Sequence, residues 1–133
     1  MSQDEKMMRL LKEDRRFTLE SYRFVNSALL NALKQNKKEE AALPKGLFPQ
    51  TSFHLTGQEL CCAVRDYALD QFGMLARTVL SDLGIKKTGD IGDIVFNLLE
   101  IGEMTKTDDD KREDFDDVFN LAEELENGFR FLQ

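Results

Sequence analysis

Apolar and polar positions follow a helical period most clearly between Leu55 and Gly102, and the helix ends inside that stretch are marked. Thr56 followed by Glu59 has the spacing of a capping box, in which each side chain satisfies a backbone N–H left open by the first turn. Leu55 and Leu60 flank that cap at the spacing of a hydrophobic staple. Leu60, Ala63, Val64, Tyr67, Ala68 and Gln71 then recur three and four residues apart, so this face is expected in the core with Gln71 as its one polar member. Gly73 interrupts the run. Beyond it, Leu75, Val79, Leu80 and Leu83 form a second apolar face. Gly84 suits the left-handed position after a helix, and Ile85 can reach back to Leu80 in a Schellman ending. A third helix starts near Thr88 or Asp90, either able to cap it, and carries Ile91, Ile94, Val95, Leu98 and Leu99 before Gly102. Three helices joined by short turns follow.

The flanking parts are less regular. Residues 3–13 read as a short helix with Met7, Met8, Leu10 and Leu11 on its apolar side. From Thr18, a plausible cap, to about Lys38 runs a longer helix with Tyr22, Val25, Leu29, Ala32 and Leu33 at helical spacing. Phe24, Ala28 and Leu30 widen its apolar surface, so it either sits deep in the fold or meets a second chain. KQNKKEEAALPKGLFPQTS, broken by Pro44, Gly46 and Pro49, is expected as a loop that anchors through Leu47, Phe48 and Phe53, with a short extended piece from Ser52 to Leu55. After Gly102, Met104–Thr107 and Arg112–Phe115 are expected to form a small antiparallel hairpin around Asp108–Lys111. Asp116 or Asp117 then caps a final helix with Val118, Leu121, Ala122 and Leu125 on one face, ended by Asn127–Gly128. The closing Phe129–Leu132 alternates, as an added strand or as aromatics inserted into the core.

These elements describe one mainly α, compact helical domain over residues 1–133, with about five or six helices and a minor β-hairpin, a size that sustains one core. Its parts are a basic helical segment over 1–46, a central three-helix core over 55–102, and an acidic hairpin and C-terminal helix over 103–133. The order helix, helix, turn, third helix, hairpin also matches a winged-helix outline for the C-terminal half.

Charge changes the picture more than bulk composition does. Of 133 residues, 41% are hydrophobic and 32% charged, an ordinary balance for a globular protein. The net charge of −7 is uneven: residues 1–46 carry +3, residues 47–101 carry −3 and residues 102–133 carry −7. The basic first third and the acidic tail are therefore expected to attract each other or an oppositely charged partner, more weakly as salt rises. No apolar run approaches the roughly 18 residues of a membrane span, and MSQDEKMMRLLKEDRR lacks a signal peptide's hydrophobic centre. A cytoplasmic location without membrane contact is the expectation. Cys61 and Cys62, adjacent in a helix, cannot form a disulfide with each other, and two free thiols fit a reducing compartment. Cys61 flanks the apolar face as a small core residue, and Cys62 points away from it.

No catalytic, cofactor-binding or metal-ligating residue is assigned. His54 is the sole histidine, with no cysteine pair at metal-ligand spacing, which excludes a zinc site of His and Cys. DDDKREDFDD lacks the glycine and the alternating oxygen ligands of an EF-hand, so a solvated turn accounts for it better. Asp90 and Asp93 share one helix face and are the one carboxylate pair to weigh, as a hard-cation site or an acid and base. Capping and helix-dipole complementarity, each worth about 0.3–1 kcal/mol, explain them more simply. TGDIGD follows no strand and is not a phosphate loop. The third helix contains Asp90, Asp93 and Glu100 and no Lys or Arg, so it would repel a phosphate backbone. The leading expectation is a non-enzymatic protein-interaction or regulatory module that binds a protein partner or itself and takes no cofactor. A winged-helix-like DNA-binding regulator using Lys86, Lys87 and the basic first third is the alternative, and a small enzyme built on the Asp90 and Asp93 carboxylates is a third reading.

TGQEL, ALDQFG, ARTVL, GDIVFNLLEIG and KTDDDKREDF, together with Tyr22–Val25, cover well over half the chain with their connecting residues. In these pieces the sequence resembles a small family of uncharacterised bacterial proteins, largely restricted to planctomycetes and verrucomicrobia. That resemblance implies a bacterial, cytoplasmic origin. The family has no assigned activity, so it implies no site residues.

Overall fold

The computed structural model describes residues 3–36, 51–53, 55–106 and 111–131. The described residues are mainly helical: α1 (Gln3–Glu13), α2 (Leu19–Asn36), α3 (Gly57–Phe72), α4 (Ala76–Asp82), α5 (Thr88–Glu100) and α6 (Leu121–Phe131). Two short strands, β1 (Thr51–Phe53) and β2 (Met104–Lys106), pair in parallel, with Thr51 opposite Met104 and Phe53 opposite Lys106. Residues 37–50 of the expected loop, with Leu47 and Phe48, lie outside the described residues, as do His54 and Asp108–Asp110.

Helix ends behave as their chemistry requires. Thr56 accepts from the Glu59 N–H at 3.1 Å and Glu59 accepts from the Thr56 N–H at 3.1 Å, a complete capping box. Gly73 ends α3 at a φ of 54° and opens a 3-10 turn through Leu75. After α4, Gly84 takes a φ of 82°, and the Gly84 and Ile85 N–H groups bond the Ser81 and Leu80 carbonyls, the paired bonds of a Schellman ending. Gly102 and Glu103 repeat this against Leu99 and Leu98 after α5. Thr18 and Ser21 exchange side-chain to backbone bonds before α2, and Ser21 donates to the Leu83 carbonyl at 2.6 Å, which fixes α2 against the end of α4.

α5 lies at the centre. Its Ile91, Ile94, Val95 and Leu98 join Tyr22, Val25 and Leu29 of α2 and Leu60, Cys61 and Val64 of α3 in one buried cluster. Burial at Cys61 pushes its thiol up to about 12, so it stays protonated as a small core side chain. Met7 and Leu10 anchor α1 to the same core, while Met8 faces solvent.

Several expectations are corrected. Among the described residues there is no antiparallel hairpin: β2 pairs with β1, and Arg112–Phe115 forms a 3-10 turn packed on α5 and α3. Phe115 makes the helical turn preferable, because its ring is buried where glycines at 57 and 92 leave room. A winged-helix arrangement, which needs that hairpin beside an open third helix, is not present among the described residues. The buried face of α3 turns toward Cys61 and Leu69 and leaves Gln71 exposed; in α4 the buried residues are Ala76 and Leu80, with Leu75 outside. The last helix starts later than expected, since Asn120, not Asp116 or Asp117, accepts from the Glu123 N–H at 3.1 Å. Asp117 instead adopts a φ of 51° in the turn before it. α6 then continues through Gly128 to Phe131, so Asn127–Gly128 is not its end and Phe129–Phe131 is not a strand.

Candidate functional site

The two carboxylates weighed as a pair do separate work. Asp90 is 8% exposed, and its Oδ2 accepts from the Lys86 and Lys87 N–H groups at 2.9 and 3.2 Å, closing the turn before α5. Of the two residues expected able to cap that helix, Asp90 thus takes the part, while Thr88 donates to the Phe115 carbonyl at 2.6 Å and accepts from the Val118 N–H at 3.2 Å. Asp93 sits one turn farther on, between Arg16 at 2.8 Å and Arg112. Neither carboxylate aims at an open cleft with the other, and the geometry is that of capping and bridging.

Asp93 is the hub of a network that joins distant parts of the chain. Arg16 also holds Asp14 at 2.8 Å, Arg112 holds Asp116 at 2.8 Å, and the Asn97 amide donates to Asp14 and to the Tyr22 hydroxyl, each at 3.2 Å. The Arg16 hydrogen bond leads the causes that hold the Asp14 carboxyl at about 2. At Asp93 burial pushes upward, but the hydrogen bonds from Arg112 and Arg16 outweigh it and leave the carboxyl below its ordinary value. Lowered folded values mean stability that is present above the ordinary carboxylate range and lost as pH falls through the folded values. Asp93→Asn is therefore expected to cost about 1–2 kcal/mol at neutral pH, with the loss shrinking as pH falls below the ordinary carboxylate range. Urea denaturation of both proteins across that range checks it.

Glu103, just after α5, is the opposite case. It is 6% exposed, and its carboxylate has no hydrogen-bond donor or ion-pair partner among the described residues. Burial and the charge of Asp4 push it upward, with Lys6 pulling the other way. A raised folded value contributes stability at acid pH that is lost as pH rises through that value. Glu103→Gln should accordingly stabilise the protein by roughly 1 kcal/mol at neutral pH and by nothing at acid pH. Thermal melts at the two pH values measure the difference.

Among the described residues, the ion pairs that span long stretches of sequence tie both ends to the central part of the chain. Arg65 of α3 bridges Asp66 and Glu124, each at 2.9 Å, and Arg77 of α4 pairs with Glu126, so the central helices hold the acidic α6. Arg16, from the basic first third, reaches the central Asp93.

The surface carries an apolar knuckle and several hollows. On the 3-10 turn between α3 and α4, Met74 is 73% and Leu75 59% exposed. Beside that turn, α3 and α6 enclose a groove of about 460 Å³ lined by Arg65, Asp66, Leu69, Asp70, Glu124, Asn127 and Gly128. A second hollow, of about 390 Å³, lies between α2 and α3 and is lined partly by Asn31, Leu55, Gln58 and Cys62. Sequence periodicity missed the Met74–Leu75 knuckle because Leu75 fits the apolar stripe of a helix that begins one residue later. Among the described residues, no cluster of three or more His, Cys, Asp or Glu side chains could hold a metal ion, and no helix is long and apolar enough to cross a membrane.

No protein-family model, curated protein or solved structure significantly matches this chain.

Proposed function

We propose that this protein is a non-enzymatic interaction module that binds another protein through the surface around the α3–α4 turn. The observation that carries the reading is the adjacent exposure of Met74 and Leu75. Two large apolar side chains held in water by a short turn give up little conformational freedom and gain burial when a partner covers them. The turn is a firm platform, because α6 packs against it and Gly73 bonds back to Leu69.

Membership of the uncharacterised bacterial family, with a cytoplasmic location, belongs to the same proposal and adds no activity to it. The DNA-binding alternative loses support because α5, the helix it would place in a groove, is packed against α2, β2 and the Arg112–Phe115 turn. The carboxylate-enzyme reading loses support because Asp90 and Asp93 are already bound to backbone and arginine.

A photo-crosslinking residue placed at Met74 in cells making this protein tests the proposal. The expected result is one dominant protein adduct, a second copy of the chain being an admissible partner, that disappears in Leu75→Glu while the melting temperature stays unchanged. Absence of an adduct, or an adduct indifferent to Leu75→Glu, overturns it.

A further inference from the structure

We infer that the groove between α3 and α6 is the docking site for a basic, apolar-tipped peptide segment of the partner, an inference that rests on the interaction-module reading. The floor of the groove is apolar. Leu69 lies under it, and α6 approaches closely at Gly128, where a Cβ would come within 2.6 Å of the Leu69 Cδ1. Glycine inside a helix costs about 1 kcal/mol relative to alanine, so α6 keeps this close approach against its own helical preference.

The rim is acidic. Among the described residues, Asp66, Asp70 and Glu124 line it with a single cation, Arg65, which is already bridged to both Asp66 and Glu124. Asp70 has the Gln71 amide, at 3.2 Å, as its hydrogen-bond partner. A neutral or acidic apolar segment would bury uncompensated carboxylates, whereas one carrying Lys or Arg beside its apolar residue would pair with Asp70 and share Asp66 and Glu124. The Gly73–Leu75 turn that follows α3 also packs against α6. Charge complementarity thereby selects the occupant, and the apolar floor supplies the contact area.

The test uses the whole protein, isotopically labelled, titrated with a leucine–lysine amphipathic peptide and with its leucine–glutamate counterpart. Amide shifts are expected to concentrate at Asp66, Leu69, Asp70, Asn127 and Gly128 with the lysine peptide, to weaken with salt, and to be absent with the glutamate peptide. Asp70→Lys, whose side chain bears no fold-holding ion pair, should lower the affinity about tenfold at unchanged melting temperature. Shifts gathered on the acidic run at Asp108–Asp110 instead, or an affinity indifferent to Asp70→Lys, overturn the inference. A partner that still crosslinks at Met74 when Asp70→Lys is present leaves the interaction module standing and removes only this choice of occupant.

Discussion

Phe115→Ala is expected to lower the stability of the protein by about 3–5 kcal/mol, a large share of the roughly 5–15 kcal/mol available to a domain. The ring is fully buried and meets Phe96 edge-on, with centroids 6.1 Å apart. Glycines form its seat: a Cβ at Gly92 would lie 2.6 Å from the Phe115 Cβ, and one at Gly57 would lie 3.3 Å from the ring. That seat cannot collapse readily around an alanine, since it is made of helix backbone, so the cavity persists. The substitution also frees the turn that carries Arg112, so Asp93 loses one of its two cations. Phe115→Ala and Asp93→Asn should consequently cost less together than the sum of their separate losses, because the second removes what the first has already loosened. Chemical denaturation of the two single variants and the double variant measures that coupling. Strict additivity would mean that the turn stays docked without its aromatic anchor.

The second large effect is expected at Gly84. Its φ of 82° disfavours any side chain, and a Cβ there would come within 2.3 Å of the Arg16 carbonyl oxygen. Left-handed strain of about 1–2 kcal/mol adds to a backbone clash of similar size, so Gly84→Ala should cost roughly 2–4 kcal/mol. Relief by rotamer change is not available, as the obstacle is main chain. The substitution should therefore push the segment between α1 and α2 away from α4, and with it Arg16, which bridges to Asp93. Urea denaturation gives the size of the loss. A value below about 1 kcal/mol would show that this segment yields at little cost.

What the sequence made legible is local. Thr56 with Glu59, Gly84 with Ile85, and Gly102 each mark a helix end through atoms a few residues apart, and the ends fall where that chemistry puts them. The parallel pairing of β1 with β2 joins residues far apart in the chain, and nothing in Met104–Thr107 distinguishes a distant partner from the nearer Arg112–Phe115. The same reason hid the work of Asp93, since spacing displayed its proximity to Asp90 but not Arg16 or Arg112. Gly89 and Gly92 in TGDIGD are weighed in the sequence only against a phosphate loop, because the neighbours that fill the space beside them, Phe115 and Asp116, belong to a turn that comes later in the chain. Gly128 likewise reads as a stop signal, although the neighbour that explains it is Leu69.

The strand pair has a kinetic consequence. Bringing Thr51 beside Met104 closes a loop on the order of fifty residues, for which chain statistics alone exact about 3.5 kcal/mol. Three residues on each side are too few to drive that closure from an unfolded chain, so the ends meet only after α3, α4 and α5 have shortened the distance between them. The pair should form late in refolding and open early in the native state. Amide exchange at β2 ought then to outrun exchange in the middle of α5 and to track local fraying instead of global unfolding. On this view the strands act as a latch closed by the helices, and the order of events follows from chain length and geometry.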